Sequence, residues 1–171
     1  IKATTAINQN IDITFKGGLT NKQVTLTLNG SLRIDPLNLH AGSNHNFGTA
    51  YVVQGGTIQA WIRVENPLSS SIPQATSFSL TNKKGSNVLN SKKGGGLPIT
   101  LAAAQTTCTA ATTLTRGQDC VFVLEMQPAI NINNFSKDLV VNYKVGPDNL
   151  SIPVPLNGNL HVVNLGPGSP G

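Results

Sequence analysis

The chain has 171 residues and a formal net charge of +5 at pH 7. That length fits one domain, or one domain plus part of another, and suffices to bury a proper core. Charged residues make up only 11% of the sequence, no stretch has a convincing helical period, and no apolar run is long enough to span a bilayer, so we expect strands rather than helices and no membrane insertion. Because the chain starts at Ile1 and carries no signal peptide, we expect a processed product, as after secretion, or an excised fragment.

The first segment of the chain alternates between apolar and polar residues. One parity carries the apolar side chains of Ile7, Ile11, Ile13 and Phe15, which predicts a strand with one buried face. Residues 16–18 predict a turn, residues 24–28 alternate again, and Asn29-Gly30 is a strong turn dipeptide. The chain therefore opens with a predicted hairpin, followed by another strand that ends at Pro36.

Alternation and apolar runs predict further strands along the rest of the chain. They cover residues 58–64, 74–80, 97–104, 121–126, 139–145 and 150–156. In the first of these strands, Trp61 falls on the face opposite to Ile58, Ala60, Ile62 and Val64. Pro98 marks residues 97–104 as an edge strand, and Pro153 and Pro155 predict the same for residues 152–156, because proline has no N–H to pair.

The two ends of the chain resemble each other. A shift of 128 residues (143 − 15) places Phe15-Lys16 on Tyr143-Lys144 and Asn29-Gly30 on Asn157-Gly158 without a gap, and apolar residues meet apolar residues between these points. The sequence therefore predicts an internal repeat with the period of one immunoglobulin-sized domain. Residues 1–32 are then the terminal strands of a preceding repeat or donated strands, residues 33–165 a complete domain, and residues 166–171 a Gly/Pro/Ser tail.

Three explanations of the opening hairpin compete. The chain can be a window of a longer tandem array, a subunit whose opening strands complete a neighbour's sheet, or a domain onto which its own hairpin folds. An isolated two-stranded hairpin is marginally stable in water and has unpaired edges. The first two explanations are therefore favoured, and both make the protein part of a linear assembly.

Residues 108–128 hold both cysteines, a turn and the clearest buried strand. A disulfide between Cys108 and Cys120 would anchor the start of that strand to the segment before it; two buried thiols are the alternative. Glu125 interrupts the strand, either on the face of Val121 and Val123 or outward through a bulge, and a solvent-facing side chain is favoured.

The order Cys108, Leu114, Gly117, Cys120 and Pro128 resembles the abnormal-spindle/Hydin (ASH) class of immunoglobulin-like domains, in the bacterial secreted form met as tandem "choice-of-anchor" repeats. Other positions that match the family pattern are Asn46-Phe47-Gly48, Gly55-Gly56, residues 58–64 with Asn66, Phe78 and residues 154–158. The chain departs from the pattern in Met126, where an aromatic residue is usual, and in the long, lysine- and glycine-rich residues 79–107. The resemblance, over residues 33–160, implies an all-β, immunoglobulin-like antiparallel β-sandwich.

No group of residues with the spacing of an active site is present in the sequence. His40 and His45 lie five residues apart in a loop, which fits no helical metal pair, and the seven acidic residues are scattered one per element. There is no Gly-x-Ser-x-Gly, phosphate-loop or dinucleotide motif. We therefore predict no catalytic residue, no metal ligand and no cofactor, and a protein that is not an enzyme.

Four lysines, Lys83, Lys84, Lys92 and Lys93, cluster in a segment rich in Gly, Ser and Asn. Nucleic-acid binding is not expected, because no exposed aromatic residues are interleaved with them. A solvated loop is the favoured interpretation. The alternative is contact with an anionic surface, such as lipopolysaccharide, an acidic glycan or a partner subunit.

The sequence thus predicts a structural subunit or tandem repeat of an exported bacterial surface fibre, pilus-like filament, adhesin or envelope assembly. We expect it to be secreted or at the cell surface and to associate with copies of itself by β-strand complementation or stacking, through the row Ile7, Ile11, Ile13 and Phe15. The alternative function is a module that binds a glycan or envelope partner through residues 79–96, the lysine segment.

Overall fold

The structure, a computed structural model, describes residues 3–17, 20–34, 37–40, 42–87, 89–90 and 97–164. Within residues 3–34 it describes the side chains of Asn10, Asp12 and Thr25 only. The described residues form eleven strands and no helix, so the predicted all-β class is confirmed. The chain divides into two compact units, residues 1–35 and residues 36–171.

The first unit is a two-stranded antiparallel sheet. Its strands are β1 (Ala3–Gly17) and β2 (Thr20–Ile34), and their register runs from Ala3 opposite Ile34 to Gly17 opposite Thr20. The turn predicted at Asn29-Gly30 is wrong, because both residues continue β2 opposite Asn8 and Ile7. An Asn-Gly pair reverses the chain only where the flanking segments pair with each other, and here the segments on both sides pair with β1.

The second unit contains two sheets. The five-stranded sheet has the order β4 (Asn46–Val53), β11 (Asp148–Val163), β10 (Ile132–Val145), β6 (Gln74–Asn82) and β8 (Thr113–Thr115), with β4 parallel to β11 and the other pairs antiparallel. The four-stranded antiparallel sheet has the order β3 (Asn38–Leu39), β5 (Ile58–Asn66), β9 (Gln118–Met126) and β7 (Ile99–Leu101). A sandwich-like arrangement results.

The core of the second unit is made of alternating residues from both sheets. Fully or almost fully buried members are Ala60, Ile62, Val64, Phe122, Leu124, Leu139, Val141, Val154 and Leu156. This confirms the predicted inward face of β5 at three of its four positions; Ile58 is half-buried, and Trp61 on the outer face is 41% exposed. Each fully buried Leu, Ile or Val contributes roughly 1.5–3 kcal/mol relative to exposure, so the two alternating faces account for the stability of the sandwich.

Tyr143 ties the start of the second unit to the five-stranded sheet. Its ring stacks on that of Phe78 with 6.0 Å between centroids, and its hydroxyl accepts a hydrogen bond from the Leu37 N–H at 3.0 Å. Burial raises the pKa of the Tyr143 phenol. The neutral phenol therefore serves as a buried hydrogen-bond acceptor in the core.

The proline-based prediction of an edge strand is confirmed for β7 and holds only locally for residues 152–156 of β11. β7 lies at the edge of its sheet, although it is shorter than predicted. β11 lies inside its sheet, but β4 pairs with it only from Asn157 onward. Among the described strands, residues 152–156 therefore pair with β10 alone, and the missing N–H groups of Pro153 and Pro155 disturb no second ladder.

Candidate functional site

The predicted disulfide is present. Cys108 and Cys120 are bonded, with their Cα atoms 5.0 Å apart, and both side chains are almost fully buried. Cys120 lies on the inward face of β9, and the Cys108 N–H donates to the Val121 carbonyl at 3.1 Å. The bond therefore fixes the start of β9 to the segment before it, as the sequence predicted.

The segment before Cys108 runs along β9 as an irregular extension of β7. The Ala102 N–H donates to the Val123 carbonyl at 2.8 Å. The Thr106 hydroxyl accepts from the Val123 N–H at 3.0 Å, and the Thr107 hydroxyl accepts from the Val121 N–H at 2.9 Å. Threonine side chains thus replace the backbone partners that a regular strand would supply, and Val123 is buried on the outer face.

Asn66, one of the positions that match the ASH pattern, connects several elements through hydrogen bonds. It is fully buried at the end of β5, and its amide nitrogen donates to the carbonyls of Ile72 at 3.1 Å and Leu114 at 3.3 Å. Its backbone carbonyl accepts from the Gly117 N–H at 2.7 Å. One asparagine therefore joins β5, the loop that follows it, β8 and the turn before β9.

The candidate assembly element is the hairpin β1–β2. The four residues predicted to form its apolar row, Ile7, Ile11, Ile13 and Phe15, all lie on β1, opposite Gly30, Leu26, Val24 and Lys22 of β2. Residues of equal parity lie on one face of a strand. Within the described residues, each strand of this hairpin pairs only with the other, so both outer edges are unpaired there.

The two hairpins of the chain have the same register. Ile13 lies opposite Val24 in the first, and Val141 lies opposite Ile152 in the second. Both members of the pair differ by 128 residues (141 − 13 and 152 − 24), which is the shift that aligns the two sequence segments. The second hairpin differs in its bulge between Ile132 and Phe135 and in having β6 and β4 on its flanks.

Gly158 and Phe47, two further positions that match the ASH pattern, are in close contact at the edge of the second hairpin. A Cβ atom added to Gly158 would lie 2.2 Å from a carbon of the Phe47 ring. The ring of Phe47 also packs against that of Phe135, with 6.1 Å between centroids. Only glycine leaves room for Phe47 at this position, so Asn157-Gly158 acts as a packing site inside β11 rather than as a turn.

The lysine segment is described only in part. Lys83 and Lys84 lie in a turn after β6 that is closed by Asn82, whose side-chain oxygen accepts from the Lys84 N–H at 2.8 Å. The Lys83 ammonium lies 3.5 Å from a carboxylate oxygen of Asp138, and both side chains are well exposed. Lys92 and Lys93 lie outside the described residues, so a joint site of all four lysines stays a prediction.

The outer face of the four-stranded sheet carries paired charges. Arg63 makes two hydrogen bonds to the Asp119 carboxylate, at 2.5 and 3.1 Å. These bonds lower the pKa of Asp119 and raise that of Arg63.

Two further polar contacts lie on the same face. His40 lies 3.7 Å from Glu65, and Glu125 accepts a hydrogen bond from the Gln59 amide at 3.1 Å. Glu125 thus shares the outer face with Val121 and Val123, which settles the alternative that the sequence left open.

Two surface hollows complete the description. A cleft of about 390 Å³ lies between β6 and the Leu101–Thr109 segment, with an apolar lining that includes Phe78, Leu80 and Phe122. A second hollow of about 490 Å³ on the five-stranded sheet is lined by Lys83, Asp138, Pro153 and neighbouring residues. In the described part of the chain, no three His, Cys, Asp or Glu side chains are placed to hold a metal ion.

Comparisons with known proteins give only distant likenesses. No protein-family model and no curated protein matches the chain. The VesB protease of Vibrio cholerae is similar over 67% of this chain and 30% of its own (13% identity, TM-score 0.38). A family 123 glycoside hydrolase from Clostridium perfringens is similar over 68% and 22% (12% identity, TM-score 0.35). Domains 4 and 5 of the S-layer protein SbsC are similar over 91% and 60% (10% identity, TM-score 0.29). The chain spans less than a third of the first two proteins, and scores this low carry no argument about function.

In the part of the chain that the structure describes, no helix has the length and apolar character needed to cross a membrane.

Proposed function

We propose that this chain is a non-enzymatic structural repeat or subunit of an exported bacterial surface assembly, such as a fibre, a pilus-like filament or an envelope array. The observation that carries the proposal is the hairpin β1–β2, whose strands of 15 residues each pair only with one another in the described part of the chain. Unpaired strand edges of this length are templates for pairing with another chain or domain.

The association is by strand pairing and burial of one hairpin face. Each outer edge offers backbone N–H and C=O groups to a neighbouring strand, and alternate side chains give specificity. The apolar row of β1 supplies the face to be buried, at roughly 1.5–3 kcal/mol for each fully buried Ile or Phe. That gain has to exceed the loss of translational and rotational freedom on association, which costs at least about 4 kcal/mol.

The strand arrangement supports an immunoglobulin-like type of sandwich. In sheet order, strands β3-β5-β9-β7 correspond to strands A, B, E and D of that fold, and β6, β10 and β11 of the other sheet correspond to C, F and G. β4 lies beside the last strand and parallel to it. Two positions that match the ASH pattern, Asn66 and Gly158, make close structural contacts. These contacts support membership of that class.

The disulfide supports export. Disulfides persist in oxidising compartments such as the periplasm and the cell exterior and are rare in the cytosol. The Cys108–Cys120 bond lies in the core of the second unit, where both cysteines are buried. We therefore place the assembly outside the cytoplasm, at the cell surface or in the periplasm.

The lysine segment gives weaker support to the alternative, a module that binds an acidic glycan. Lys83 already has Asp138 within 3.5 Å, which reduces the positive charge it can offer to an anionic ligand. Neutralising Lys83 and Lys84 should leave assembly unchanged in the structural account and abolish binding in the glycan account.

The proposal is tested by the size of the full chain in solution, measured by light scattering and electron microscopy. We expect oligomers or filaments from the full chain and monomers from a chain that lacks residues 1–30. The double variant Ile11→Thr, Ile13→Thr should also be monomeric, because it makes the apolar row polar. Its matched control, Asn10→Thr with Asp12→Thr, changes the opposite parity and should still assemble. Monomeric full-length protein at all concentrations would contradict the proposal.

A further inference from the structure

The equivalence of the two hairpins identifies what completes the first one. In the second unit, β6 pairs antiparallel with β10, with Thr81 opposite Val140 and Leu80 opposite Val141. β4 pairs in parallel with β11, with Ala50 opposite Leu160. Carried over by the shared shift, the places of Val140, Val141 and Leu160 fall on Asp12, Ile13 and Leu32.

The pattern of residues in the first hairpin fits those partners. Where β10 and β11 bury Leu139, Val141, Val154, Leu156 and Leu160, the first hairpin has Ile11, Ile13, Leu26, Leu28 and Leu32. Phe15 takes the place of the stacked Tyr143. Every one of these exchanges keeps an apolar or aromatic side chain of similar volume, which a packed core accepts.

Gly30 points to the same partner through its backbone rather than through an apolar side chain. It stands in the middle of β2, opposite Ile7, where glycine weakens a strand because it has no side chain to pack. Its counterpart Gly158, opposite Phe135 in β11, is the residue against which the Phe47 ring lies. A glycine at this position is explained if another aromatic ring, from a strand equivalent to β4, packs on β2.

We propose that β1–β2 is the last hairpin of a preceding repeat in the same polypeptide. In that repeat, a strand equivalent to β6 pairs antiparallel with β1, a strand equivalent to β4 pairs in parallel with β2, and an aromatic ring equivalent to Phe47 covers Gly30. This rests on the proposed function, because it names the partner of the strand edges on which that function depends. The partner is thus a second copy of this domain, located ahead of it in the chain.

The first experiment exchanges the hairpins within the full chain. Residues 136–163 are replaced by a copy of residues 8–35, which is equally long, needs no gap and leaves the buried Ile132 and Phe135 in place. We expect a cooperatively folded second unit that retains the Cys108–Cys120 disulfide and unfolds within about 15 °C of the parent, since the exchange conserves core volume. A matched control inserts residues 9–36 in the same place instead. This one-residue slip turns every side chain to the other face and should leave the unit unfolded.

The second experiment supplies the missing partner. A copy of residues 37–131 is placed directly before residue 4, which gives an array of two repeats. We expect two folded domains, two disulfides and a monomeric array, because the edges of β1 and β2 are now paired. Gly30→Val in this array should unfold the first repeat alone, whereas Gly30→Val in the parent chain should leave the second unit's unfolding midpoint unchanged.

The outcomes separate this inference from the proposed function. An exchanged chain that fails to fold, or that folds equally well with the slipped copy, would overturn the equivalence. An added repeat that stays unfolded, beside an exchanged chain that folds, would overturn the preceding-repeat partner and favour a separate subunit. If the array folds as expected but the parent chain never oligomerises, the inference stands and the association between chains fails.

Discussion

The two hairpins of this chain have the same strand register and a closely related pattern of apolar residues, yet their surroundings differ. β10–β11 has β6 on one side and β4 on the other, and its inward residues are buried. β1–β2 has no third strand in the described part of the chain. The difference shows that a local sequence pattern specifies a hairpin and its register, whereas distant strands decide whether that hairpin belongs to a larger sheet. Paired substitutions at equivalent positions can therefore measure what those surroundings contribute.

The largest difference is expected at Leu156 and its counterpart Leu28. Leu156 is fully buried, so Leu156→Ala should lower the free energy of unfolding of the second unit by about 2–5 kcal/mol. Leu28→Ala should leave that unit unchanged and weaken assembly of the full chain. Chemical denaturation followed through Trp61 fluorescence measures the first effect, and light scattering measures the second. Equal destabilisation of the second unit by both variants would show that the hairpins do not differ in the way described.

A smaller effect is expected at Gly158, the counterpart of Gly30. Gly158→Ala places a methyl group within 2.2 Å of the Phe47 ring, which should cost about 1–3 kcal/mol of stability, because the ring and the strand have to shift. In the Phe47→Ala background, Gly158→Ala should cost less than it does in the parent protein, because the ring that the methyl group meets is absent. Thermal unfolding of the four proteins tests this coupling. Strict additivity of the two substitutions would contradict the contact.

Tyr143 and Phe15 differ by one hydroxyl group. Tyr143→Phe makes the second hairpin like the first and leaves the buried Leu37 N–H without its acceptor, which should cost about 1–3 kcal/mol. Tyr143→Leu, which also removes the stacking on Phe78, is expected to cost more. Urea denaturation of the two variants separates the hydrogen bond from the ring. A Tyr143→Phe protein as stable as the parent would remove the hydroxyl from the account.

Tyr143 also predicts a dependence on alkaline pH. Because burial raises its pKa above the usual value, the folded protein holds the phenol proton at a pH where the unfolded chain releases it. The contribution of Tyr143 to the stability of the second unit should therefore be fully present below the unfolded pKa of about 10 and be lost as the pH rises through the folded pKa. Tyr143→Phe should reduce this fall, as measured by thermal unfolding between neutral and alkaline pH.

The smallest effect is expected at the Arg63–Asp119 pair, which is remote from the hairpin comparison and partly exposed. The pKa of Asp119 is lowered in the folded state, mainly by its hydrogen bonds from Arg63. Its contribution to stability is thus present above the unfolded pKa of Asp and lost as the pH falls through the folded value. Asp119→Asn should flatten the acid side of the stability profile slightly, and salt should reduce the difference.

The sequence predicted those features that depend on local alternation. The inward face of β5, the buried strand after Cys120 and the equivalence of the two chain segments were all visible as patterns of period two. The presence of only two cysteines fixed the connectivity of a disulfide, whereas its formation depended on a Cα separation that only the structure shows.

Other features depend on partners that are distant in the chain. Asn29-Gly30 and Asn157-Gly158 have the composition of turns, and only the ladder with β1 or the ring of Phe47 shows why they continue a strand. β3 and β8 have two and three residues, too few for a periodic signal, and β4 was not predicted as a strand. Lys92 and Lys93 lie outside the described residues, so their role stays a prediction.

Hydrogen exchange of the strand-edge amides tests the central claim most directly. The amides of Asp12 and Thr14 correspond to those of Val140 and Asn142, which pair with β6 in the second unit. We predict that both exchange rapidly in dilute full-length protein and slowly once oligomers form, or at all concentrations in the two-repeat array. Oligomers or arrays in which Asp12 and Thr14 remain rapidly exchanging would show that the hairpin edges take no part in assembly, and would contradict the account.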